Sequence, residues 1–195
     1  MAKKIDTPKL WELWRDPEGV AFDPTQTGMF ATDRFALWDL SRLPLADAKL
    51  VPDLRGFYSV GKSRVALHTG RRFNAVRSGH MADKFAMWSA EKPGRVWEPL
   101  THTVWRHREH RVCLSASGPV LVTDAFVTLA ERFGPLWLSV CHTGKEFPKV
   151  KVTWLTEISE ARSVETVVGF IEPGKVPDSD EVRAVLGSIG EGVKL

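Results

Sequence analysis

Cysteine is almost missing from this chain, and so are tyrosine, long apolar runs and glycine-rich loops. Only Cys113 and Cys141 occur among the 195 residues. Both lie in apolar, strand-like runs outside any paired-cysteine spacing, so no disulfide framework is expected and each thiol reads as a small buried hydrophobe. No apolar run approaches the roughly 18 residues of a membrane span, and none opens the chain as a signal peptide would. A reducing cytoplasm, with no membrane partner, is therefore the expected setting. No glycine-rich phosphate loop or dinucleotide fingerprint follows an apolar run, which argues against nucleotide-fuelled chemistry. A nucleophile elbow is missing too, as is the helical two-histidine spacing of a metalloprotease. Tyrosine occurs once against eight tryptophans, and most of those indoles are expected in the core, where a large ring buries well if its N–H finds a partner.

What is present is positive charge, unevenly spread. The net charge is +3. Residues 55–111 carry twelve Lys and Arg against four acids, whereas residues 1–54 sum to −2 and residues 156–195 to −4. A basic middle bounded by acidic ends suits a polyanionic partner, because clustered cations release counterions from a phosphate backbone.

The pattern of elements predicts an α+β fold with an antiparallel or mixed sheet and several short flanking helices. One domain over 1–195 is expected, with residues 1–45 and 156–195 as helical or acidic flanking parts. Thr7-Pro8 opens a short helix to Arg15, and residues 30–45 form a second amphipathic stretch through Phe35, Leu37, Trp38 and Leu40. Residues 56–60 and 63–68 suggest a hairpin. Residues 80–91 place Met81, Phe85 and Trp88 on one helical face, ended by Pro93-Gly94. Residues 95–105 are strand-like, 106–111 form a charged turn or exposed strand, and 112–115 and 119–122 flank a turn. Thr123 or Asp124 caps a helix that Gly134-Pro135 ends. Residues 136–141 form a buried strand. In the next strand Lys149, Lys151 and Thr153 share a cationic face and Val150, Val152 and Trp154 a core face. Residues 164–170 are a further strand. A last helix from Asp178, with Val182, Val185 and Leu186, suits docking on the domain or a partner protein.

Two stretches repeat. Ala66-Leu-His-Thr-Gly-Arg-Arg-Phe-Asn-Ala-Val76 and Val140-Cys-His-Thr-Gly-Lys-Glu-Phe-Pro-Lys-Val150 share His, Thr, Gly, Phe and Val from the histidines onward, with Arg71 matched by Lys145. Each reads as a strand running into a turn that offers a phosphate His, Thr and a cation. The pair resembles the motifs of two-histidine phosphodiesterases, which implies an alternative function as a small phosphodiesterase or nuclease using His68, His142, Thr69 and Thr143. That family separates His from Thr by one residue. Here they are adjacent and point to opposite faces of an extended strand. His107, His110 and Cys113, with His102 nearby, have spacing suggestive of a metal. In a continuous strand, however, His107 and His110 face opposite ways and the neighbouring arginines repel a cation, so neither a metal nor another cofactor is expected.

Binding is the remaining reading. Arg64, Arg71, Arg72, Arg77, Arg106, Arg108, Arg111, Lys145, Lys149 and Lys151, interleaved with Phe73, Trp105, Phe147 and Trp154, have the composition of a surface that contacts DNA or RNA. Residues 135–152, a proline, an apolar strand, a small-Gly-basic turn and a basic strand, resemble the short large-subunit proteins of type IV CRISPR complexes. That resemblance implies a non-catalytic subunit that contacts target DNA and neighbouring proteins in an RNA-guided assembly of a bacterial defence system or mobile element. A third reading is a protein-binding inhibitor or assembly factor, with Trp11 and Trp14 as anchors.

Overall fold

The computed structural model describes residues 4–7, 10, 19–47, 49, 51–60, 65–67, 79–142, 149–159, 162–175, 180, 184, 187 and 188. Three short strands come first: β1 (Val20–Pro24), β2 (Met29–Thr32) and β3 (Ala36–Asp39). A hairpin of β4 (Gly56–Val60) and β5 (Val65–Leu67) precedes helix α1 (His80–Ser89). Then follow β6 (Glu98–Pro99), β7 (Thr101–His107), β8 (His110–Ser115), β9 (Gly118–Thr123) and helix α2 (Asp124–Arg132). The chain continues through β10 (Leu136–Cys141), β11 (Lys149–Ser159) and β12 (Arg162–Ile171). Nine strands form one sheet in the order β5-β4-β1-β2-β3-β12-β11-β10-β6, and β7-β8-β9 form a second. Every neighbouring pair is antiparallel. The fold is α+β.

The large sheet is covered on both faces. Alternate residues such as Phe22, Trp38, Leu138, Val140, Val150 and Val152 enter one core with Cys113, Val120 and Val122 of the small sheet and Phe126 of α2. Trp38 stacks on Phe126 with ring centroids 5.7 Å apart, and full burial of a ring such as Phe126 contributes about 2–3 kcal/mol. On the opposite face Phe30, Leu37 and Phe170 meet Met81 and Phe85 of α1. Three layers result: α1, the large sheet, then α2 with the small sheet.

Sheet enters both flanks that were expected to be helical or acidic, while Thr7, Leu10, Asp180, Ala184, Gly187 and Ser188 in those flanks are helical. Within residues 1–45 lie β1, β2 and β3, and residues 156–171 complete β11 and supply β12, so the β3–β12 pair at mid-sheet joins the two ends of the sequence. The amphipathic stretch 30–45 is a hairpin followed by a short 3-10 helix, Leu40–Arg42. Asp33 decides this: its buried carboxylate accepts the N–H groups of Phe35 and Ala36, reversing the chain where hydrophobic spacing alone suggested a helix. Helices α1 and α2, the β4–β5 pair and the strands on both sides of the 116–118 turn lie where expected. Thr123 occupies the N-cap of α2 but forms no side-chain cap bond. Most of the first and last expected helices, including Trp11, Trp14, Val182, Val185 and Leu186, lies outside the described residues.

One glycine is required at the central joint. Gly169 on β12 is the register partner of Trp38 on β3, and a Cβ there would sit 2.7 Å from the indole. The indole approaches β12 this closely only because that atom is missing.

Candidate nucleic-acid interface

The turn between β2 and β3 is held from several sides. Asp33, 1% exposed, takes the Phe35 N–H at 3.1 Å and the Ala36 N–H at 2.9 Å. The Thr32 hydroxyl donates to the Ala36 carbonyl at 2.6 Å and accepts the Arg34 N–H at 3.1 Å. Within this frame Arg34 adopts φ 79°, a left-handed conformation that costs a side-chain-bearing residue about 1–2 kcal/mol. Phe35 is turned outward and 42% exposed. Its carbonyl accepts the Glu172 N–H at 2.7 Å, tying the turn to the end of β12.

Helix α1 forms the facing wall. Met81 and Phe85 point into the sheet, while His80, Lys84 and Trp88, at i, i+4 and i+8, run along a neighbouring stripe about 12 Å long. The helix is anchored at both ends. At its start the Gly79 N–H donates to buried Asp23 at 3.0 Å. At its finish Arg95 Nη1 donates to the carbonyls of Met87, Trp88 and Ala90 at 3.2, 3.0 and 3.1 Å, a cation on the negative end of the helix. Trp88 packs edge-on against Phe170 at 5.5 Å. Lys149 Nζ lies 5.0 Å from the centre of the Trp88 ring and Lys84 Nζ 6.0 Å, so cation–π attraction helps to place both ammonium groups.

The turn, α1 and the ends of β11 and β12 enclose a cavity of about 320 Å³. Arg34, Lys84 and Lys149 bring positive charge to it and His80 an imidazole, while Phe35, Trp88 and Phe170 bring rings. Glu172 is the one carboxylate among the described lining residues. Such a site can bind an anion next to a flat apolar group.

The residues expected from sequence are divided by the large sheet. Lys149 lines the cavity. Lys151 lies on the same strand, its Nζ 4.6 Å from the centre of the Trp97 ring, and burial holds its pKa below the usual lysine range. Thr153, expected on this cationic face, is buried. Arg106, Arg108 and Arg111 belong to the small sheet, across the large sheet from α1. Arg111 is buried and donates to Asp124 at 2.6 Å, to Glu131 and to Thr128, so it serves as an internal tie between β8 and α2. Arg106 pairs with Asp124 at 3.2 Å. Arg108 sits in the β7–β8 turn at φ 54°. Arg64, Arg71, Arg72, Arg77 and Lys145 lie outside the described residues.

Topology separates the strands that precede the two expected histidine turns. His68, Thr69 and Thr143 lie outside the described residues, but the strands leading to the two turns are β5 and β10. Six strands stand between β5 and β10, about 34 Å measured along the sheet. Seven antiparallel steps also make the two strands run in opposite directions, so their C-terminal ends emerge at opposite ends of the sheet. His142 meets the small sheet instead, with Nε2 3.4 Å from Ser115 Oγ. Nearby, Glu98 accepts from the Ser117 hydroxyl and from the Ser117 N–H at 2.8 Å. These bonds, aided by Ser115 and the His142 charge, hold the Glu98 carboxyl below its usual pKa.

The metal expectation used the wrong geometry, since the chain turns at Arg108-Glu109. His107 and His110 are direct register partners and share a face, as do His102 and Cys113. Among the described residues no three His, Cys, Asp or Glu side chains come together to hold an ion. Burial lowers the His102 pKa against the pull of Glu131, and pushes the Cys113 thiol up to about 12.

No protein-family model, curated protein or solved structure matches this chain. Sequence reasoning missed Arg34, Phe35 and His80 as site residues, used Lys84 only as part of a charge count, and assigned Trp88 to the core. The spacing of His80, Lys84 and Trp88 was a usable signal. For Arg34 and Phe35 there was none, because a tertiary turn delivers them.

Proposed function

We propose that this chain is a non-catalytic nucleic-acid-binding protein whose contact surface is the groove between α1 and the β2–β3 turn. One observation carries the reading: Arg34, Lys84 and Lys149, from three separate elements, line a single cavity with exposed Phe35 and with Trp88. Cations engage phosphates and aromatic faces engage bases, and nucleic acid offers both together. Lys149 is also part of the 135–152 stretch that resembles type IV CRISPR large subunits. That resemblance supplies a setting, a DNA-contacting subunit of an RNA-guided assembly.

The test is a salt titration of binding to a labelled oligonucleotide, followed by fluorescence anisotropy. Log affinity should fall linearly with log salt, by about 0.7 per phosphate neutralised on a single strand or about 0.9 on a duplex. The double variant Lys84→Gln/Lys149→Gln should weaken binding and reduce that slope by about 1–2. No binding at low salt, or a flat salt response, would reject the function.

A further inference from the structure

We infer that the groove accepts a single strand, with one unstacked base laid on the Phe35 ring and the neighbouring phosphates met by Arg34, Lys84 and Lys149. This rests on the nucleic-acid reading and specifies which form of nucleic acid the groove takes.

The platform is built in advance. Asp33 and Thr32 fix the turn backbone on one side and the Glu172 N–H fixes the Phe35 carbonyl on the other. Arg34 is kept at a costly positive φ, and a strained residue held by its surroundings at a cavity is a recurring mark of a binding site. The two lysines are likewise placed by the Trp88 ring. The turn backbone that presents Arg34 and Phe35 is therefore ordered before a ligand arrives, which removes part of the entropic cost of binding.

Size and chemistry then select the strand state. At about 320 Å³ the cavity is at the small end of ligand sites and has room for a base with its sugar. A base in a duplex has both faces covered by its neighbours and cannot reach an aromatic platform without leaving the stack, whereas a single strand turns a base out at little cost. Glu172 orients the ligand. Its backbone is bonded to Phe35 and its carboxylate repels phosphate while accepting N–H donors. The base end therefore belongs beside Phe35 and Glu172, and the phosphates beside the cations.

The experiment compares three probes by fluorescence anisotropy at fixed low salt: a twelve-nucleotide single strand, the same sequence as a duplex, and an abasic oligomer of equal length. The single strand should bind at least about tenfold more tightly than either of the others. Phe35→Leu, which keeps apolar volume and removes the ring, should lower single-strand affinity at least about fivefold, and Phe35→Trp should retain it. Lys84→Gln/Lys149→Gln should weaken all three probes. Equal binding of the duplex or the abasic oligomer, or an unchanged affinity in Phe35→Leu, overturns base insertion but leaves the general nucleic-acid reading standing. Absence of binding to all three probes overturns both.

Discussion

Arg34 combines a local cost with a proposed use. Its side chain lines the groove while its backbone sits at φ 79°, a conformation glycine adopts without steric penalty. Arg34→Gly should raise unfolding stability by about 0.5–1 kcal/mol, the relief of strain exceeding the added freedom of the unfolded chain. The same variant should lose nucleic-acid affinity severalfold. Urea unfolding together with the anisotropy assay checks both effects. A loss of stability would mean that the Arg34 side chain holds the turn together. Arg111 shows the reverse case, a cation assigned to a nucleic-acid surface from sequence but spent on Asp124 and Glu131 inside the protein. Sequence reports that an arginine exists near other basic residues. Whether its guanidinium meets a partner or a carboxylate depends on what folds against it.

At the scale of elements, β7 and β8 pack on α2 through a small polar network. His102 lies 3.9 Å from Glu131, and Arg111 binds both Glu131 and Asp124. Burial depresses the His102 pKa, Glu131 works against that shift, and Arg111 adds to it. A depressed folded pKa means that the unfolded chain takes up the proton first as the solution is acidified. The stabilising contribution is therefore full above the ordinary 6.5 of histidine and is lost as pH falls through the lower folded value. Urea midpoints measured between pH 7.5 and 5 should decline in the wild type and decline less in His102→Gln. Parallel curves for the two proteins would rule out His102 as the source. Cys113 acts at the other end of the scale. Its thiol, pushed up to about 12 from 9.0, stays protonated where the unfolded thiol ionises, so stability falls with rising pH through that window.

For the molecule as a whole, the decisive joint is β3–β12. It unites the strands from the first third of the chain with those from the last third. Gly169→Ala would drive a methyl group to 2.7 Å from the Trp38 ring at the centre of that joint, and should cost about 1–3 kcal/mol by overpacking. Thermal unfolding checks this. A neutral substitution would show that Trp38 can shift off its stack with Phe126.

Much of the local structure was legible in the chain because it follows from short-range physics. A short apolar run marked β10, alternation marked the start of β11, the Phe126, Val127, Leu129 and Ala130 spacing marked α2, and Pro93-Gly94 marked the limit of α1. The absence of phosphate loops and nucleophile elbows was settled by the residues alone. Residues 30–45 were misread because apolar spacing over a few residues does not separate a hairpin from an amphipathic helix until the Asp33 carboxylate captures the turn. Charge was legible only as a total along the chain. The basic middle third is divided by the large sheet, with Lys84 on one side and Arg106, Arg108 and Arg111 on the other, while Arg34 and Lys149 arrive at the Lys84 side from distant segments. Hydrogen bonding, turn geometry and residue spacing act over a few positions and are written in the sequence. Which charges share a surface and which cancel is decided by strand order and by layers packed from residues more than a hundred positions apart, and only the tertiary structure contains that information.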